Sequence, residues 1–161
     1  KPMDSQIWLS LRTLSPWGLP EMVLGLALVV VGTIRSGARP DAPALLTGAL
    51  MLLAGVTILY SLWFVLAATS IWFVKIWNAT EVLRSLLAAG QFPVSAYPAT
   101  LRVVFSTVLP VAFLTTVPAE AILGLATGGS VVASLVLAGF SLLGSRALWR
   151  FALRHYTSAS S

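Results

Sequence analysis

Residues 42–74 contain no charged side chain, and this run limits what the chain can fold into more than any other feature. As one α-helix, the 33 residues would be about 50 Å long, which is enough to span a hydrocarbon core of roughly 30 Å with some tilt. A hairpin of two shorter helices would need a turn near the middle, yet residues 57–62 contain neither Gly nor Pro. The run therefore predicts a single long membrane-crossing helix.

The composition of the whole chain agrees with a membrane location. Apolar residues make up 58% and charged residues 9% of the sequence, whereas soluble domains have roughly 45 to 50% and about 25%. The sequence predicts an all-α integral membrane protein with a single transmembrane domain over residues 1–161. The four predicted crossings are 19–34, 42–74, 99–117 and 130–149.

Helix-boundary residues support these limits. Pro20 suits a first helical position, Glu21 suits the first turn, and Asp41 is expected to cap the second crossing. Two further segments have the pattern of amphipathic helices that lie at the membrane surface. They are a cytoplasmic segment, 1–17, and an interfacial helix, 78–89, which begins with a capping-box-like Asn78 and Glu81 and ends before Gly90.

Prolines interrupt the third predicted crossing. Pro93 and Pro98 lie in the loop before it, and Pro98 can open the helix that carries Arg102. Pro110 falls inside the apolar run and should kink the helix, and Pro118 is expected to end it. Further on, Gly124 and Gly128 have the spacing of a close helix–helix contact, but a turn outside the membrane is an equally good interpretation.

The positive charges predict an orientation. Four crossings put both ends of the chain on one side, and eight of the ten basic residues lie on that side: Lys1, Arg12, Lys75, Arg84, Arg102, Arg146, Arg150 and Arg154. Only Arg35 and Arg39 lie on the other side. By the positive-inside rule, both ends of the chain are expected in the cytoplasm.

The sequence offers no chemistry of its own. It has no cysteine, its single histidine is His155 in the tail, and its five acidic residues sit at helix starts or on a polar face. No phosphate-binding loop of the G-x-x-x-x-G-K-[ST] type is present, so we expect the chain to bind no ATP, metal or other cofactor. No acidic group is expected near the bilayer midplane, which disfavours an ion-coupled carrier. The basic residues flank apolar runs, so nucleic acid is not an expected partner.

Two separated motifs resemble a known family. Residues 91–98 read Gln-Phe-Pro-Val-Ser-Ala-Tyr-Pro, and they are followed by Leu101-Arg102, by 109–113 and by 117–119. This region resembles the permease subunits of type-2 ABC exporters, in particular a bacterial group with a similar Pro-rich loop before the fifth crossing. The ending 148–160 resembles the C-terminus of that group, and the opening Lys1-Pro2-Met3 resembles the segment before its third crossing.

The resemblance implies several functional features. The four crossings would correspond to the third to sixth of a six-crossing permease, with the first two upstream of Lys1. The segment before the first crossing here would contact the ATPase subunit through Ile7, Trp8, Leu11 and Arg12, although an ordinary interfacial helix is an equally good interpretation. Helix breaks or gating would involve Pro93, Tyr97, Pro98, Pro110 and Pro118.

The implied protein is the path-forming subunit of an ATP-driven exporter in the bacterial cytoplasmic membrane. ATP and Mg would be bound by separate ATP-binding subunits, and a second permease chain, identical or related, would complete the path through the bilayer. An apolar helical path with few charges suits lipid-like, drug-like and glycan cargo alike. The main alternative is a non-transporting membrane scaffold or assembly subunit; a membrane-embedded enzyme is disfavoured because no acidic or nucleophilic residues cluster.

Overall fold

The computed structural model describes residues 6–8, 16–69, 81, 84–85, 88, 96–103 and 111–154. All regular structure within these ranges is helical, which confirms the predicted all-α class. The chain divides into two compact units, Lys1–Pro40 and Asp41–Ser161.

The first unit contains one long helix. Residues 6–8 are helical, and a single 3-10 turn, Pro16–Gly18, leads into helix α1, Leu19–Arg35. Pro20 and Glu21 lie in the first turn of α1, as predicted. A proline there loses no hydrogen bond, and a carboxylate favours the positive end of the helix dipole. At the other end, the N–H of Gly37 donates to the carbonyl of Ile34 at 3.1 Å.

Helix α1 exposes apolar side chains on all sides. No residue of this helix is buried, and the exposed fraction reaches 68% for Val23 and 71% for Ile34. Exposed apolar surface of this extent is unfavourable in water, but costs nothing in contact with lipid. The helix therefore has the apolar surface that is typical of a membrane-embedded segment.

Two long helices form the frame of the second unit. Helix α2 is Ala42–Thr69, and its start is capped by Asp41, whose Oδ1 accepts the N–H of Ala44 at 2.9 Å, as predicted. It runs without interruption through residues 57–62, where a hairpin would have needed a turn. Residues 70–74, the last part of the predicted crossing, lie outside the described residues.

Three short helices and a long one follow α2 among the described residues. They are α3, Ala99–Val103; α4, Val111–Leu114; α5, Thr116–Ile122; and α6, Gly128–Arg154. Helices α2 and α6 are each about 40 Å long, and both are long and apolar enough to cross a membrane. Within the predicted interfacial helix 78–89, residues 81, 84, 85 and 88 are helical, and the exposed Arg84 pairs with Glu81 at 3.1 Å.

The structure differs from the prediction at Pro118. This proline does not end a helix but lies in the first turn of α5, which continues to Ile122. A first-turn N–H has no partner within the helix, so proline is tolerated there. Because α5 begins before Pro118, Glu120 lies near the end of this helix, whereas the sequence placed it near a helix start.

The contacts define the directions of the helices in the second unit. In the first half of α2, Met51 belongs to a cluster against which Val131, near the start of α6, packs. Near the end of α2, Ala68 clusters with Trp149, near the end of α6. Helices α2 and α6 therefore run parallel. The segment α4–α5 runs antiparallel to α2, because Phe113 lies beside Gly55 and Ile122 lies beside Gly48. The segment α4–α5 therefore leads back towards the start of α2, and α6 begins there.

Small and hydroxyl residues fill the interface between these helices. The buried residues of α2 and α6 apart from Met51, Ile58 and Trp149 are Gly48, Ala54, Gly55, Ser61, Ala68, Ser134, Ala138, Ser145 and Ala152. The three serine hydroxyls donate to carbonyls of their own helices at 2.7 to 3.0 Å. Small residues let helix backbones approach closely, which is the usual basis of helix packing in lipid.

Gly124 and Gly128 lie in the turn between α5 and α6, not in a close helix–helix contact. Gly124 has a φ of +71°, and its N–H donates to Ala121 while the N–H of Leu125 donates to Glu120. This pair of bonds is the Schellman arrangement that ends a helix at a left-handed glycine. Gly128 begins the next helix, behind a cap in which Thr127 Oγ1 accepts the N–H of Ser130. The two glycines therefore form a turn and share no helix face.

The close approach at Gly55 generates a stability prediction. A Cβ at this position would lie 2.8 Å from the carbonyl oxygen of Phe113, and backbone atoms cannot move aside easily. We expect Gly55→Ala to destabilise the protein by about 1–3 kcal/mol, as overpacked sites do. The thermal unfolding midpoint in detergent should fall.

The matched control is Gly32→Ala in α1, where nothing lies within 4 Å of the position that the added methyl group would take. Alanine is the better helix former by roughly 1 kcal/mol, so this variant should keep or raise the midpoint. Equal midpoints for the two variants would contradict the packing of α4 on α2.

Candidate functional site

The chain breaks its helical path between α4 and α5. Thr115 separates the two helices with a φ of −124° and a ψ of −55°, outside helical geometry. Pro118 explains the position of this break. In a continuous helix its ring would collide with the carbonyl of Leu114, and it has no N–H to donate to that carbonyl. The helix therefore stops at Leu114 and restarts at Thr116.

The broken segment is held against α2 at two glycines. Gly55 faces the backbone of Phe113 and Leu114, directly before the break, and Gly48 faces the side chain of Ile122 after it. These glycines are seven residues apart, so they lie on the same side of α2, two turns from one another. A larger side chain at Gly55 would collide with the backbone of α4, and one at Gly48 would collide with the side chain of Ile122.

Apolar side chains surround the break. Val117 and Ala121 of α5 form a buried cluster with Met51 of α2, and Pro118 is also buried. Phe113 of α4 packs against this cluster and against the next one, which contains Ile58 and Ala138. Residues on both sides of the break therefore pack into apolar clusters with residues of α2 and α6.

A second group of predicted residues precedes α3. The backbone N–H of Arg102 donates to the carbonyl of Pro98 at 2.9 Å, and its guanidinium donates to the carbonyl of Tyr97 at 3.4 Å. Tyr97 is half-buried and Pro98 is exposed, directly before the helix that it was predicted to open. Arg102 therefore fixes the turn at this Tyr-Pro pair from both its backbone and its side chain.

The predicted ATPase-contact residues are described in part. Ile7 and Trp8 are adjacent and helical, and their exposed fractions are 49% and 54%. Two large apolar side chains exposed side by side suit contact with a partner or with the membrane surface. Four predicted site residues lie outside the described part of the chain: Leu11, Arg12, Pro93 and Pro110.

Sequence reasoning missed Gly48, Gly55 and Thr115. The two glycines carried a usable signal, since a seven-residue spacing of glycines in an apolar run predicts a side of the helix that another backbone approaches. No sequence signal marks Thr115 as the break, because the break there is caused by Pro118, three residues later. In the part of the chain that the structure describes, no group of three or more His, Cys, Asp or Glu residues could hold a metal ion.

The sequence model for the ABC-2 family of transporter proteins matches residues 1–160 of the chain. The chain therefore belongs to the ABC-2 transporter family, whose members are membrane-embedded permease components of ABC transporters. The nucleotide-binding domain of such a transporter is a different component, and the family implies association with ABC ATPase subunits. Searches of curated proteins and of solved structures gave no significant match.

The geometry of the break generates a prediction for Pro118. Pro118→Ala supplies an N–H for the carbonyl of Leu114 and removes the ring collision, whose cost inside a helix is about 3 kcal/mol. We expect α4 and α5 to join into one helix. Amide hydrogen exchange over residues 115–119 should then become slower.

The matched control is Pro43→Ala in the first turn of α2. The start of this helix is capped by Asp41, and no helix ends directly before it that could join it. Exchange around residue 43 should stay unchanged. If exchange over residues 115–119 is also unchanged in Pro118→Ala, the break is set by packing on α2 and the role assigned to Pro118 is wrong.

Proposed function

We propose that the chain is the permease subunit of an ATP-driven exporter and forms the cargo path together with a second permease chain. The observation that carries the proposal is the family match over nearly all of the chain, combined with a broken helix that packs against apolar residues of α2. The proposal includes three features: export as the direction of transport, a pair of permease chains, and alternating access.

The proposed mechanism depends on two arrangements of the same helices. Separate ATPase subunits bind ATP with Mg and close, and this movement favours one orientation of the path over the other. The chain itself binds no nucleotide in this mechanism. It supplies the path, and ATP binding and hydrolysis by the partner subunits supply the energy.

The α4–α5 segment is the part of the chain best suited to bend. At Thr115 the backbone already departs from helical geometry, so a change of angle between the two pieces disrupts less regular helix there than it would in an uninterrupted helix. Pro110, which lies outside the described residues, is proposed as a second bending point. Pro110→Ala and Pro118→Ala should therefore insert normally but transport less.

The parallel course of α2 and α6 supports the proposed topology. Parallel neighbours in a membrane require the chain to cross back between them, and α4–α5 runs in that returning direction. With the positive-inside rule, the Arg-rich end of α6 is proposed to face the cytoplasm of a bacterial cell. The protein would then be a multi-pass component of the cytoplasmic membrane.

The proposed contact with the ATPase subunit lies at Ile7, Trp8, Leu11 and Arg12. Exposed aromatic and aliphatic side chains are typical anchors of protein interfaces, and Trp and Arg are the residue types enriched among binding hot spots. The exposure of Ile7 and Trp8 supports this position.

The function is tested by purifying the permease with its ATPase subunits and reconstituting the complex in lipid vesicles. ATP hydrolysis should be coupled to movement of a cargo tested from the lipid-like, drug-like and glycan classes. The control is a complex whose ATPase subunit lacks its phosphate-binding lysine. A stable complex in which ATP hydrolysis moves none of these cargo classes and alters no helix position would identify a scaffold and contradict the transport proposal.

The proposed contact generates a prediction of its own. Ile7→Asp combined with Trp8→Asp should weaken co-purification of the ATPase subunit by roughly 30-fold or more, since losing a buried interface anchor costs about 2 kcal/mol or more. Co-purification of tagged permease with the ATPase subunit measures the effect.

The matched control keeps both positions apolar, with Ile7→Val and Trp8→Phe, and should retain most of the association. Unchanged association of the double-Asp variant would remove these residues from the contact and favour the alternative, an interfacial helix that touches only the membrane.

A further inference from the structure

One side of α6 changes from apolar to basic along its length. Val132, Val136 and Leu143 point away from α2, with exposed fractions of 60%, 65% and 70%. Arg150 and Arg154 are also exposed, and they follow Leu143 by seven and eleven residues. Because 3.6 residues make one turn, these intervals are close to two and three whole turns. The five residues therefore share one side, here called the outer stripe.

The opposite side of α6 is used for packing. Ser134, Ala138, Ser145, Trp149 and Ala152 are buried, and the clusters that contain Ala138, Trp149 and Ala152 also contain residues of α2. The outer stripe is consequently directed away from the helix bundle of this unit.

The change of character coincides with the thickness of a membrane. Arg146 lies about 27 Å along the helix from Gly128, close to the roughly 30 Å of a hydrocarbon core. Arg150 and Arg154 lie about 6 and 12 Å further along the axis. If the apolar part of the outer stripe lies against acyl chains, the two arginines lie at the depth of lipid phosphates.

The basic end of α6 contacts a helix that carries no acidic side chain. Helix α6 contains no Asp or Glu, and neither does α2, which packs against it. Each guanidinium has five N–H donors, so an arginine can contact the protein and still bind a phosphate. Arginine also binds phosphate through two parallel hydrogen bonds, which fixes its geometry.

We propose that Arg150 and Arg154 form a binding site for the phosphate of an anionic phospholipid, with Leu143 and Val136 against its acyl chains. The site takes a lipid with net negative charge in preference to a zwitterionic one. It goes beyond the transport function, because it assigns a ligand to the outer side of α6, away from the broken segment.

The site is tested by native mass spectrometry of the purified protein in detergent, titrated with phosphatidylglycerol or with phosphatidylcholine. The protein should retain phosphatidylglycerol in preference to phosphatidylcholine. Arg150→Gln combined with Arg154→Gln should weaken phosphatidylglycerol binding by roughly 25-fold, since each basic side chain near an anionic surface contributes on the order of fivefold. Phosphatidylcholine binding should not change.

Two control variants isolate the cause. Arg35→Gln combined with Arg39→Gln removes two exposed arginines with the same four-residue spacing, and it should leave phosphatidylglycerol binding unchanged. Arg150→Lys combined with Arg154→Lys keeps the charge and should retain most of the binding. A loss in the Lys pair as large as in the Gln pair would contradict an electrostatic site.

Two further measurements separate the lipid from other occupants. Inorganic phosphate that displaces phosphatidylglycerol at equal concentration would show that the ligand is a free anion and overturn the lipid assignment. Loss of ATPase co-purification in the Gln pair with unchanged lipid binding would show that the stripe contacts protein, and would overturn it as well. Lipid binding that falls only in the Gln pair supports the proposal.

Discussion

In a hydrocarbon solvent, helices gain little by hiding apolar side chains, because the lipid is as apolar as they are. Their contact depends on how closely the backbones approach and on having every polar group paired within the helix. The described residues of α2 and α6 fit this pattern. Glycine, alanine and serine face inwards, the serine hydroxyls bond to carbonyls of their own helices, and the larger residues such as Leu143 and Phe140 face outwards. This is the reverse of the distribution in a soluble protein, and the rest of the structure depends on it.

A tight glycine-based contact also allows a break to be held in place. The interruption at Thr115 directly follows Phe113 and Leu114, which lie against Gly55, and Val117 and Ala121 after it belong to the apolar cluster around Met51. Irregular backbone at membrane depth is tolerated where protein covers it. In the proposed mechanism, this segment changes its angle while it stays packed against α2.

Features that depend on neighbouring residues could be predicted from the sequence, whereas features that depend on distant parts of the chain could not. The helix starts at Pro20 and Asp41 were predictable because a cap is a contact between neighbours in sequence. The position of the break was not, since Pro118 acts on Leu114 four residues earlier and can either end a helix or sit in the first turn of the next. The close approach at Gly48 and Gly55 depends on α4 and α5 from another part of the chain, so composition alone marked only an apolar run. The candidate residues Ile7, Trp8, Tyr97 and Pro98 came from the resemblance, and their roles stay predictions.

The central claim is that α2 and α6 cross a membrane in the same direction within a transport permease. The 161 residues contain no cysteine, so single cysteines can report the side of the membrane with an impermeant maleimide. The account predicts that Ser36→Cys and Leu125→Cys react in intact cells, whereas Ser85→Cys and Leu153→Cys react only after the membrane is opened. Labelling of Leu125→Cys and Leu153→Cys from the same side would show that α6 does not cross, and would contradict the account.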